Sequence, residues 1–126
     1  RGHPMLKYLT TKIVTAWPQD RQDEPGYAVL YADGYQSWCP KEQFDESAIE
    51  LGHVDHLAPH EVRLVAELEQ LIDRLDKLEA FMETDRYADL PEDDRELLKA
   101  QYDIMGIYAG VLNERIEKIG FESDEE

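Results

Sequence analysis

Leu64, Leu68, Leu71, Leu75, Leu78 and Met82 recur at intervals of four, three, four, three and four residues, and that spacing leaves little freedom of structure. An α-helix of 3.6 residues per turn returns every member of such a series to one face. On a strand, Leu64 and Leu71 would point to opposite faces. Val65, Ile72 and Phe81 widen the seam into an apolar face, so the spacing predicts a helix from about His60 to Glu83. Asp85 to Pro91 breaks it. Pro91 followed by Glu92, Asp93 and Asp94 reads as a new N-terminus, where acids favourably oppose the helix dipole. The second helix is expected to run to about Ile119 and stop at Gly120, a usual residue just past a helix end. A connection this short folds the pair into an antiparallel hairpin over residues 60–120, followed by an acidic tail over 121–126.

The second helix carries more apolar surface than one partner helix can cover. Leu98, Tyr102, Met105, Ala109, Leu112, Ile116 and Ile119 form one seam. Leu97, Gln101, Ile104, Tyr108, Val111 and Arg115 form another, roughly 100° round the helix. The first helix can bury only one of them, which leaves the other for the N-terminal segment or a second copy of the chain. Gly106 and Gly110 each cost about 1 kcal/mol relative to alanine inside a helix. Drift on a solvated face, close approach of a neighbouring helix and approach of a flat ligand all remain open as reasons. Surplus apolar surface together with small residues favours a homo-oligomer.

The chain before the hairpin reads as β. Arg1-Gly2-His3-Pro4 ahead of Met5 has the look of a cloning scar and is set aside. Tyr8 to Trp17 is rich in β-branched and aromatic residues and stops at Pro18. Gln19 to Gly26 is a polar loop, and Tyr27 to Tyr31 is a second strand. Asp33-Gly34 suits a two-residue hairpin turn, and Tyr35 to Trp38 returns as the third strand. Pro40 opens a short helix anchored by Phe44 and Ile49. The expected class is α+β: a small antiparallel β-sheet with a short helix over residues 5–51, a linker over 52–59, then the long antiparallel α-helical hairpin. A module of about 45 residues is marginal alone, so it is expected to lean on the hairpin.

Charge narrows the function. The formal net charge is −16. Residues 58–126 hold 20 acidic and 8 basic residues, against 9 and 5 in residues 1–57. That balance argues against a general nucleic-acid binder or an anionic-membrane binder, both of which need a basic footprint. The longest apolar run, Ala28 to Ala32, falls far short of the roughly 20 residues of a membrane span. Cys39 is the single cysteine and has no internal disulfide partner. With no signal peptide in view, a reducing, intracellular setting is expected.

His53, Asp55, His56 and His60 are possible metal ligands, but Pro59 interrupts the segment and no single helix aligns the rings, so a polar linker is the expectation. Cys39 lacks the base and orienting group of a catalytic thiol. Glu67, Glu69, Asp73 and Asp76 lie on polar helix faces, and no calcium-loop, phosphate-loop or dinucleotide-fold pattern occurs. An enzyme is not expected, and no cofactor or metal is implied. His60, Arg63 and Glu67 share one face at the start of the first helix. There Arg63 either presents its planar fork to an anion near a helix N-terminus or pairs with Glu67. Arg115 is an odd charge on the surplus apolar seam. It suits a partner acid across an oligomer interface, or a ligand.

The stretches His60-Glu61-Val62-Arg63-Leu64-Val65-Ala66-Glu67 and Leu71-Ile72-Asp73-Arg74-Leu75-Asp76-Lys77-Leu78-Glu79-Ala80-Phe81 carry a resemblance that continues through Tyr87 to Leu90, Gln101, Met105, Tyr108, Val111-Leu112 and Arg115-Ile116. Over about 60 residues the chain resembles a family of short phage proteins built on a helical hairpin. That family is similar to the phage sponge proteins that counter CBASS and Thoeris immunity. Gly26 to Phe44 is similar to a second, widespread phage-encoded module, usually with Ser where Cys39 stands.

The sponge resemblance implies a helical-hairpin homo-oligomer in the host cytoplasm. It would sequester a cyclic oligonucleotide or cyclic ADP-ribose-type second messenger between protomers without turning it over. Stacking on aromatic rings and charge-assisted bonds to phosphate then single out His60, Arg63, Tyr102, Tyr108 and Arg115 as ligand-binding candidates. The rival is an acidic protein-binding inhibitor or DNA mimic that blocks a host defence protein, which the negative charge fits better. A plain oligomerisation module with a β cap is the third reading.

Overall fold

A computed structural model of the chain describes residues 2–121. It contains β1 (Thr15–Pro18), β2 (Gly26–Leu30), β3 (Gln36–Pro40), α1 (Lys41–Ser47), α2 (Pro59–Met82), α3 (Asp85–Ala88) and α4 (Glu92–Lys118). The α+β class expected from the sequence is the one found. Two compact units divide the chain, Arg1–Ala48 and Ile49–Glu126.

In the first unit the strands form an antiparallel sheet in the order β1-β2-β3. The register sets Trp17 beside Ala28 and Ala28 beside Trp38, so two tryptophans flank a small residue on one face. Gly26 is required here: a Cβ at that position would lie 2.3 Å from the Trp38 ring. The Trp38 indole N–H donates to the Gln19 carbonyl at 2.6 Å, and the Arg21 guanidinium lies 5.0 Å from the ring centre. One residue along β2, Tyr27 points to the opposite face. It stacks on Phe44 of α1 with ring centres 4.3 Å apart, which holds the short helix against the sheet.

Two local expectations are corrected. The β2–β3 turn is a three-residue loop rather than a two-residue one. Tyr31 N–H donates to Tyr35 O, Gly34 N–H donates to Tyr31 O, and Gly34 takes φ +94°, the arrangement of a type I turn closed by a left-handed residue. Asp33 reinforces it by accepting from the Tyr35 N–H at 3.0 Å. The first strand begins at Thr15, not Tyr8. Thr15 pairs with Leu30, the last residue of β2, so residues further back meet the loop rather than a strand.

The second unit is the helical hairpin. Leu64, Val65, Leu68 and Leu71 of α2 bury against Leu112 and Ile116 of α4, with Leu51, Val54, Leu57, Met105, Ala109 and Phe121 packed alongside. At the N-terminus of α2, Glu61 turns back to accept from the Ala58 N–H at 2.9 Å. The interhelical connection, expected as a plain break, holds the short helix α3. Thr84 caps it by accepting from the Tyr87 N–H at 3.3 Å. Arg95 then fastens the turn: its guanidinium donates to the carbonyls of Ala88 (2.8 Å) and Leu90 (3.1 Å), while the Tyr87 hydroxyl donates to Arg95 O. α4 closes at Gly120, φ +79°, as its sequence predicts. The acidic tail beyond Phe121 lies outside the described residues.

Candidate functional site

The two seams of α4 have separate fates. Leu98, Tyr102, Met105, Ala109, Leu112, Ile116 and Ile119 are all buried or half-buried, on the side that meets α2. Every residue of the other seam is exposed. Leu97 is 69% exposed and Ile104 64%. Ile107, which belongs to neither seam, is 70% exposed and widens the stripe. Its signal in the sequence is its place three residues after Ile104, on a neighbouring turn. A contiguous apolar stripe of this kind on an otherwise charged helix marks an interaction surface. Gly106 and Gly110 are exposed, and a Cβ at either would meet nothing within 4 Å. No close approach within the chain explains them.

The five candidate ligand residues do not form one pocket within a single chain. His60 and Arg63 are exposed on the first turns of α2. Because Leu64 and Val65 share a core with Leu112 and Ile116, Arg63 and Arg115 stand at the same end of the hairpin. Neither arginine makes a hydrogen bond or ion pair among the described residues, so the expected Arg63–Glu67 alternative is not formed. Tyr108 lies in the same row as Arg115, two turns back along α4, about 10 Å by helix rise.

Tyr102 stands apart, about 20 Å from Arg115 along the helix, and half-buried in the seam towards α2. The Glu79 carboxylate, with burial and a hydrogen bond from the phenol adding to it, holds the Tyr102 hydroxyl above its ordinary pKa.

The N-terminus of α2 offers an anion less than the sequence implied. The Glu61 and Val62 N–H groups donate to Ala58 O, Pro59 has no N–H, and the Glu61 carboxylate already lies there. Side-chain positive charge at that end comes from Arg63, Arg115 and Lys118. The remaining candidates are accounted for locally. His56 lies against Phe121 with ring centres 6.1 Å apart. The Cys39 thiol faces the Gln43 side chain at 4.0 Å. Among the described residues no cluster of three His, Cys, Asp or Glu side chains could hold a metal ion, and no helix is long and apolar enough to cross a membrane.

Comparison with known proteins picks out the same hairpin. Residues 58–118 match the model of the Sequestin family, a span that starts at the α2 cap and ends with α4. No curated protein and no solved structure matches the chain. The match fits the resemblance to phage nucleotide sponges, and the name of the family denotes sequestration. Over that span, just under half of the chain, the helical hairpin is similar to the Sequestin family.

Proposed function

We propose that this is a phage-encoded counter-defence protein of the host cytoplasm that binds a cyclic nucleotide-type immune second messenger and holds it without hydrolysis. The observation that carries the reading is the exposed stripe Leu97–Ile104–Ile107–Tyr108–Val111, running into Arg115, on the hairpin that matches Sequestin. A sequestering site must enclose its ligand, and in one copy of this hairpin His60, Arg63, Tyr108 and Arg115 are all exposed. Packing of α4 stripes between copies supplies the walls and gathers Tyr108 and Arg115 with His60 and Arg63. Arginine forks would bind the phosphates and Tyr108 would stack on a base. Tyr102, already turned to Glu79, serves in the seam rather than against the ligand.

Calorimetric titration of the purified oligomer against cyclic di- and trinucleotides and cyclic ADP-ribose isomers tests this, with the recovered ligand checked intact by chromatography. Submicromolar binding of an unaltered ligand is expected. Replacing both Arg63 and Arg115 by Ala should reduce it at least a hundredfold while the oligomer persists. Unchanged affinity would remove both residues from the site.

The 20 acidic residues against 8 basic ones in residues 58–126, hairpin and tail together, favour the second reading, an acidic inhibitor of a basic host protein. Silence across the ligand panel, together with a host partner released steeply between low and moderate salt, would establish it.

A further inference from the structure

Residues Met5 to Ile13 carry the strand-favouring side chains Tyr8, Thr10, Thr11 and Ile13, yet they have no strand to pair with. The segment overruns β2, whose last residue already pairs with Thr15. Among the described residues, no hydrogen bond is made by Met5 through Lys12. Met5 is 98% exposed, Leu9 91% and Tyr8 81%. At the end of the arm, Lys12 lies over the Tyr31 ring at 5.3 Å from its centre. β-branched and aromatic residues gain stability in a sheet through cross-strand neighbours, and here those neighbours are missing.

We propose that this arm pairs with the same arm of a second copy, as an antiparallel two-stranded continuation of β1. A strand with unpaired N–H and C=O groups templates another strand. A two-fold pairing satisfies both arms at once, whereas addition to an unlike edge leaves an open end that propagates. The side chains also choose a register. A two-fold axis between Leu9 and Thr10 would set Lys7 directly against Lys12, and like charges opposite each other are destabilising. An axis through Leu9 sets Leu6 against Lys12. An axis through Thr10 sets Leu6 against Val14, Thr10 against Thr10 and Lys12 against Tyr8, where the ammonium meets a ring as it does at Tyr31. The third register sets Lys7 against Ile13, as the second sets Leu6 against Lys12, but it alone of the three gives a lysine a ring to lie over.

Cysteine cross-linking at each arm position tests both the pairing and the register, in the full chain carrying Cys39→Ser. Thr10→Cys should form a disulfide-linked dimer readily. Leu9→Cys and Thr11→Cys should do so poorly alone, because each faces the other position, but should cross-link when mixed. Hydrogen exchange on the unaltered chain gives an independent reading: every other amide between Tyr8 and Lys12 should gain protection as concentration rises. Equal cross-linking at all positions, or amides that exchange freely at every concentration, would overturn the proposal and leave Lys7 and Lys12 as charges that keep a solvated arm from aggregating.

Discussion

Leu112 and Ile104 sit on one helix, two turns apart, and differ little in size or hydrophobicity, but one is 1% exposed and the other 64%. The contrast separates two uses of apolar surface. Around Leu112 the helix is satisfied within its own chain, by Leu64, Val65 and Leu68 of α2. Around Ile104 the same kind of residue faces outward beside Ile107, Tyr108 and Val111. Folding accounts for the first face and leaves the second unexplained, so the second points to a partner.

The largest expected effect lies on the buried face. Leu112→Ala should destabilise the hairpin by about 2–5 kcal/mol, through lost transfer energy plus the cavity it leaves, read from the denaturant midpoint. Ile104→Ala, measured at a dilution where copies are apart, should cost no more than about 0.5 kcal/mol, as surface substitutions do. At high concentration, Ile104→Asp should remove the association made through the stripe, seen by light scattering as a smaller assembly, while helicity is kept. If Ile104→Ala costs as much as Leu112→Ala in the dissociated chain, the two faces are not distinct and the stripe serves the single chain.

The same contrast explains what was legible in the sequence. A heptad seam sustained through Met82 is a long-range pattern that no local accident overrides, and the division of α4 into a covered and an uncovered seam followed from counting faces. Short-range features were harder to read. Asp85 to Pro91 looked like a plain break because a helix of four residues has too few positions to show a period, although Thr84 ahead of it is a start signal. Asp33-Gly34 fixed where the chain turns but not the loop length, which depends on whether Tyr31 pairs with Tyr35. Residues 8–14 read as part of the first strand, and the structure starts that strand at Thr15, since pairing is decided by where β2 ends. For the candidate site, residue type pointed to Tyr102 and Tyr108 alike. Only the structure turns one towards Glu79 and leaves the other exposed.

A smaller effect is expected where the two helices are joined. Arg95 is half-buried, and its bonds to the Ala88 and Leu90 carbonyls fix how α4 departs from α3. Arg95→Ala should cost about 1–2 kcal/mol, since the lost bonds are charge-assisted but partly replaced by water. Amides of residues 87–90 should exchange faster, with little change near Leu112. Arg95→Lys should recover only part of the loss, because both bonds come from one terminal guanidinium nitrogen, Nη1, and a lysine side chain ends one bond short of it. Uniformly faster exchange along α4 would mean that the turn and the core unfold as one unit and that Arg95 has no local role.

The smallest effect is a test of the seam by pH. The Glu79 carboxylate, chiefly, raises the Tyr102 pKa above 10.0, so the folded chain holds this proton more tightly than the unfolded one. The stabilisation linked to the neutral phenol is fully present below the unfolded value and fades as pH rises through the folded one. Tyrosinate absorbance should therefore show one of the seven tyrosines titrating late, and Tyr102→Phe should remove that late component. Glu79→Gln should move it back towards 10.0 and leave the rest of the titration alone. A late component that survives Tyr102→Phe would place the perturbed phenol elsewhere and free Tyr102 from the seam. Its ring would then be available on the same terms as Tyr108, and the division of α4 into a folding face and a binding face would lose its sharpest residue-level marker.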